Sequence, residues 1–278
     1  MIVHEPALPV DPRLPGEPTV LEVGRTQLWL GRRGVRVRLP TRLLALRIGG
    51  RAIGWRGIAG YAIVIAVLWF SAGALFKAVD LPGQTAVYPV LFAVFQVLRW
   101  RVAQRREQLA ERLTGADAPP PLRSAVRQVG WWYLVSTAVT FVGGAVLCAA
   151  ALLTEPRSTG NHWYSPSVAI GVHTCALAVG AGATALVLGR VLRAPVIAED
   201  ETSRLVDEVL RAEDPYRFAS SVVYAVLALP IFVVDWEVPG PLEWIGLAYL
   251  VVVTTTQLIG WLLARRRYRR LPPGFYGR

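Results

Sequence analysis

Few side chains in this sequence could do chemistry inside a bilayer. His173, flanked by Thr174 and Cys175, is the one group ionisable near neutral pH that lies well within an apolar run, and Gln257 follows Thr254, Thr255 and Thr256 in another. A metal centre needs three or four nitrogen, oxygen or sulfur ligands, and the other histidines, His4 and His162, lie in distant segments. The expected roles of His173 and Gln257 are therefore polar contacts between helices, and no cofactor or metal is expected. A buried carboxylate would mark an ion-coupled carrier, because a charge at the bilayer centre costs about 2.5 to 3.5 kcal/mol on insertion scales. Asp80 and Asp235 instead fall at the ends of apolar runs. A Gly-x-Ser-x-Gly elbow, a phosphate loop and an Asp-rich magnesium motif are all missing from the sequence, so no catalytic residues are expected and the chain reads as a non-enzyme.

Two charged clusters stand out. Arg42, Arg47, Arg51 and Arg56 are interleaved with Leu43, Leu44, Leu46, Ile48 and Ile53, the pattern of an interfacial elbow helix that could meet anionic lipid. Gly49 and Gly50 are expected to interrupt it. Further on, Glu199, Asp200, Glu201, Asp207, Glu208, Glu213 and Asp214 crowd into sixteen residues around an apolar stripe of Leu205, Val206, Val209 and Leu210. Such acids either pair with the arginine-rich tail and close that face on itself, or stay open to a basic partner. Exposed ion pairs contribute only about 0 to 1 kcal/mol each, which favours a docking helix built on Asp207, Glu208, Glu213 and Asp214 with the four apolar residues as its contact stripe.

The elements that must carry these clusters follow from hydropathy. The 278 residues are 54% hydrophobic and 18% charged, where soluble domains average about 25% charged. Six stretches approach the roughly 20 residues a spanning helix needs: Gly57 to Val79, Gln84 to Arg99, Trp131 to Leu153, Val168 to Gly189, Phe218 to Asp235 and Leu242 to Ala264. Basic residues sort by side. Of 30, 28 fall in the tails and alternate loops, and only Lys77 and Arg157 fall in the others. Positively charged loops stay in the cytoplasm, so both termini are placed there in a multi-pass cell-membrane protein. The net charge of +11 follows from this sorting, and nucleic acid is not an expected partner. Pro6, Pro9, Pro12, Pro15 and Pro18 break the first twenty residues without any apolar core, so insertion is expected to use an internal helix.

Three parts are expected. Residues 1–56 form a cytoplasmic tail with the elbow and a small β-hairpin, read from Leu28 and Leu30 alternating with Gln27 and Trp29, a turn at Gly31 to Gly34, and Val35, Val37 and Leu39 alternating with Arg36 and Arg38. Residues 57–264 form an all-α six-helix bundle of three hairpins, and residues 265–278 an arginine-rich tail. The loops after the second and fourth spans each read as a short amphipathic helix, a proline break and re-entry into the membrane, a similarity that any surface linker would share. Within the spans, Gly143, Gly144 and the spaced Ala176, Gly180 and Thr184 permit close helix approach.

The expected function is a membrane partner or scaffold that recruits a cytoplasmic protein through these loops, with anionic lipid against the elbow. Six spans, both ends inside, an elbow helix and amphipathic cytoplasmic helices also resemble the type-2 ABC exporter permeases in topology. That resemblance implies the alternative, a permease subunit energised by a separate ATPase subunit.

Overall fold

The computed structural model describes residues 17–51, 87–114, 117–154, 157–158, 165–228, 236–237 and 240–277. The protein is mostly helical. The expected first span, Arg56 and most of the expected outer connections lie outside the described residues. Among the described residues, three helical stretches are long and apolar enough to cross a membrane: Trp131–Leu153, Ile170–Leu192 and Trp244–Arg267, of 23, 23 and 24 residues. Much of each is left exposed, as in Val142, Val146, Leu153, Val179, Leu186, Ile245, Val251 and Leu258. Long helices with an apolar outward face require an apolar solvent.

The chain opens on α1 (Val20–Gly31), started by a reciprocal cap in which the Thr19 hydroxyl accepts from the Glu22 amide and the Glu22 carboxylate accepts from the Thr19 amide. This overturns the expected N-terminal hairpin. Glu22, Thr26 and Leu30, spaced by four, are the buried face of a helix, and the short alternation at Gln27 to Leu30 is incidental to it. Gly34, at φ 84°, turns the chain, and Val35 and Val37 then pack inward while Arg36 and Arg38 stay exposed. That extended segment runs back beside α1, where Gln27 Nε2 donates to the Arg38 carbonyl at 2.6 Å, and it bridges the C-terminal tail with Pro40 opposite Gly277, without forming a strand ladder with α1.

The elbow, α2, consists of Arg42–Leu44 followed by a wider π turn, Ala45–Gly49. Gly49 and Gly50 do not interrupt it, since helix continues through Arg51. They let it pack. A Cβ on Gly49 would run into the backbone of Glu22, and one on Gly50 would lie 2.8 Å from the Arg106 side chain.

The second expected span and the amphipathic helix after it are one rod, α3 (Val87–Thr114), packed along its length against α6 (Pro166–Leu192). The amphipathic stretch of the first expected linker is therefore the far end of α3 and not a helix of its own. After α4 (Leu122–Val129), Gly130 at φ 90° sets a sharp corner into α5, a continuous rod made of Trp131–Ala138, a π turn Val139–Gly143 and Gly144–Leu153. Then come α7 (Glu201–Phe218), capped by Asp200 and Ser203, α8 (Val222–Ala228) and α9 (Gly240–Arg267). Two-residue strands β1 (Arg157–Ser158) and β2 (Trp236–Glu237) pair antiparallel, joining the chain after α5 to the chain before α9. Asp117 bridges Val196, joining the chain after α3 to the chain after α6.

Inside the bundle the small residues receive aromatic rings. A Cβ on Gly180 would sit 2.5 Å from the Tyr224 ring, and Gly143 and Gly144 hold Tyr249. The Tyr224 hydroxyl donates to Gln96 Oε1 at 2.6 Å, and the Tyr249 hydroxyl donates to the Thr140 carbonyl at 2.7 Å within the π turn. Both phenols thus keep a hydrogen bond in an apolar core.

Candidate functional site

The charged clusters converge at the end of the bundle where α1, α2, the far end of α3 and α7 meet. The sequence places α7 there because its capping box starts a helix whose stripe of Val206, Val209 and Leu210 is apolar. That stripe packs onto Leu30, Leu44, Ile48, Tyr268, Leu271 and Tyr276, with Leu205 at its margin. The stripe is covered by the chain itself. The expectation of an apolar docking face open to a partner is therefore corrected.

Its acids are engaged in the same way. Asp207, 2% exposed, receives Arg47 Nη2 at 2.5 Å and Arg211 Nε at 2.6 Å on its two oxygens. Asp214 receives a two-pronged Arg51, Nε at 3.2 Å and Nη2 at 3.0 Å. Glu107 at the end of α3 bridges both elbow arginines, 3.1 Å from Arg47 and 2.5 Å from Arg51. Glu213 pairs with Arg33, beyond the end of α1. Glu208, half-exposed, is the expected docking acid with no such pairing among the described residues.

Arg47, Arg51 and Arg211 against Glu107, Asp207 and Asp214 give three positive and three negative charges. The remaining guanidinium N–H groups donate to backbone: Arg47 to Ile197 at 2.7 Å, Arg51 to Arg47 at 3.2 Å, Arg211 to Ala194 and Pro195 at 2.9 and 2.5 Å. Such saturation is what makes burial of ions tolerable. Burial by itself disfavours the charge on Glu107, but Arg51 and Arg47 outweigh it and hold the carboxyl below its ordinary value. Asp214 moves the other way, because burial and the neighbouring Glu107 together exceed the pull of Arg51. Arg51 is held above its usual value, with Asp214 and Glu107 overcoming its desolvation.

The elbow arginines are thus divided. Arg47 and Arg51 are 3% and 4% exposed and turned to carboxylates, which removes them from the expected lipid contact. Arg42 remains partly exposed and pairs with Glu17 at 3.3 Å. Buried His173 and Gln257 lie in α6 and α9 and are not members of this cluster. Gln257 Oε1 has no hydrogen-bond partner among the described residues, and Thr256 turns its hydroxyl back to its own helix, to the Val252 carbonyl at 2.8 Å.

Sequence reasoning passed over Glu22, Glu107, Arg33 and Arg211. Glu22 both caps α1 and pairs with Arg106 at 3.0 Å, and the Thr19-x-x-Glu22 spacing was its signal. Asp207 and Arg211, four apart on one helix, signalled an internal pair. Glu107 gave no local signal, since its partners Arg47 and Arg51 lie far back in the sequence. Among the described residues no group of His, Cys, Asp and Glu is placed to hold a metal ion. No protein family, curated protein or solved structure matches the chain.

Proposed function

We propose that the chain is a six-span cell-membrane protein with both termini cytoplasmic, without catalysis of its own, that acts as a membrane partner or scaffold recruiting a protein at its cytoplasmic face. The observation that carries this reading is the charge-balanced network tying α2, α3 and α7 into one cap. Removing one member of a buried ion pair costs about 3 to 5 kcal/mol, so the elements it joins resist moving against one another. A scaffold benefits from a fixed cap. A permease driven by an ATPase must move its cytoplasmic helices on every cycle, and these pairs oppose that motion.

Recruitment then uses the outer side of the cap rather than the covered stripe of α7. On that side α1 offers Val20, Leu21 and Leu28, each at least 66% exposed, to a partner. Affinity purification of the full chain in mild detergent tests this. The expected result is a stoichiometric protein partner that is lost in a Leu21→Asp, Leu28→Asp variant of unchanged thermal stability. Recovery of an ATPase whose turnover the chain stimulates would overturn the scaffold in favour of the permease.

A further inference from the structure

Where α9 leaves its apolar run, a second charged feature opens beside the cap. Arg265 and Arg266 from the end of α9, Arg269 just beyond it, Arg32 and Arg33 from the turn after α1, and Arg217 of α7 line a cleft of about 690 Å³. Glu213 is the one acid in its wall, and it is taken by Arg33. The other five arginines make no salt bridge among the described residues. Sorting of basic residues to one side of a membrane accounts for arginine at this end of the bundle. It does not account for six of them, drawn from three separate segments, converging on one hollow.

Two buried donors in the same wall point to an occupant. The Tyr268 hydroxyl, on a residue 7% exposed, has no hydrogen-bond partner among the described residues, and neither has Arg33 Nε. Buried polar atoms left unpaired cost about 1 to 3 kcal/mol each. An acceptor-rich anion would satisfy both. Burial holds Arg33 below its usual value despite Glu213, with Arg265 and Arg32 adding to the effect, and burial does the same to Arg217 despite Asp214 and Glu213.

The remaining lining says where the anion comes from. Leu262 and Ala264 continue the wall into the exposed apolar surface of Leu258, Trp261, Leu262 and Leu263. Trp29 and Trp261 flank the cleft, each under an arginine, with Arg33 3.6 Å above the first ring and Arg265 5.0 Å from the second. The cleft therefore straddles the boundary where an apolar helix becomes a run of three arginines, which is the depth of phospholipid headgroups. A dissolved anion would gain nothing from the apolar wall. Acyl chains would lie along it.

We infer that the cleft between α1, α7 and α9 is a binding site for the phosphate headgroup of an anionic phospholipid from the adjoining leaflet. The inference rests on the membrane-embedded reading of the chain but not on the scaffold role. It differs from lipid contact at the elbow, whose Arg47 and Arg51 are engaged internally.

The test compares thermal unfolding of the full chain in nanodiscs of phosphatidylcholine alone and of phosphatidylcholine with phosphatidylglycerol. The expected result is stabilisation by phosphatidylglycerol, with apparent affinity falling at least about tenfold further in Arg265→Gln, Arg266→Gln, Arg269→Gln than in a charge-matched control, Arg105→Gln, Arg112→Gln, Arg123→Gln. All six positions are exposed, so neither variant threatens the fold. Tyr268→Phe should weaken the phosphatidylglycerol effect while leaving stability in detergent unchanged, because no protein partner is lost. Equal losses in the two triple variants would reduce the effect to diffuse surface charge and overturn the site. Equal stabilisation by inorganic phosphate or pyrophosphate in detergent would overturn a lipid occupant in favour of a soluble one. Failure to reconstitute at all would sink the membrane reading itself, whereas reconstitution without a phosphatidylglycerol preference would sink this inference alone.

Discussion

Arg47 and Asp207 are 160 positions apart and meet at 2.5 Å, with 3% and 2% of their side chains exposed. This contact joins an elbow before the bundle to the helix between its later spans. Because Asp207 also holds Arg211, its loss leaves two buried guanidinium groups short of an anion.

Asp207→Asn should therefore lower stability by about 3 to 5 kcal/mol, while Glu208→Gln at the next position should stay within about 0.5 kcal/mol. Thermal unfolding of both variants in the same detergent checks this. Equal effects would mean that the two acids share one environment.

Acidification should loosen the cap through Glu107. Its carboxyl is held below the ordinary 4.5, with Arg51 and Arg47 outweighing burial, so its contribution to stability is full above that value and is lost as pH falls through the lowered one. Asp214 has the opposite sign. Its raised value means its contribution declines as pH rises from the ordinary carboxylate range toward that raised value. Melting temperature followed from neutral pH downward should drop below about pH 4.5 in the native chain and flatten there in Glu107→Gln. An unchanged acid slope in that variant would remove Glu107 from the network.

Packing within the bundle gives a sharper contrast between two glycines on one helix. Gly180→Ala pushes a methyl group into the Tyr224 ring, and overpacking of this kind costs about 1 to 3 kcal/mol. Gly182→Ala meets nothing within 4 Å and should be neutral or stabilising by up to about 1 kcal/mol through helix propensity. Similar melting temperatures for the two would contradict the ring-in-socket packing.

Much of the helical architecture was legible because long apolar runs and small-residue spacing are local signals. Gly180 and Thr184 were readable as close-approach positions, though the neighbour at Gly180 is an aromatic ring and not a helix backbone. The cap was harder to read. Four alternating residues at Gln27 to Leu30 suggested a strand, while the capping box at Thr19 and Glu22 carried the stronger local physics. Exposed ion pairs are weak, so the strength of the acid pairing rests on burial of Asp207 and Asp214, and that burial depends on the tertiary position of α2, which no local pattern in α7 encodes. Glu107 was hidden for the same reason, its partners lying in a distant segment.

Topology is open to cysteine labelling in intact cells, using a background without Cys148 and Cys175. A cysteine at Gly160 should react with a membrane-impermeant reagent, and one at Pro119 or Pro273 should react only after permeabilisation. Reaction at Pro119 in intact cells would invert or break the proposed six-span arrangement.

Closure of α7 onto the elbow is the claim on which the cap depends, and thiol accessibility in membranes opened to both faces measures it most directly. Single cysteines at Val206 and Val209, both fully buried, are compared with one at exposed Glu201 on the same helix. Rapid labelling at Glu201 with protection at Val206 and Val209, relieved when Asp207→Asn is added, is the predicted result. Equal labelling at all three positions in the otherwise native chain would show α7 standing open, and would contradict the account.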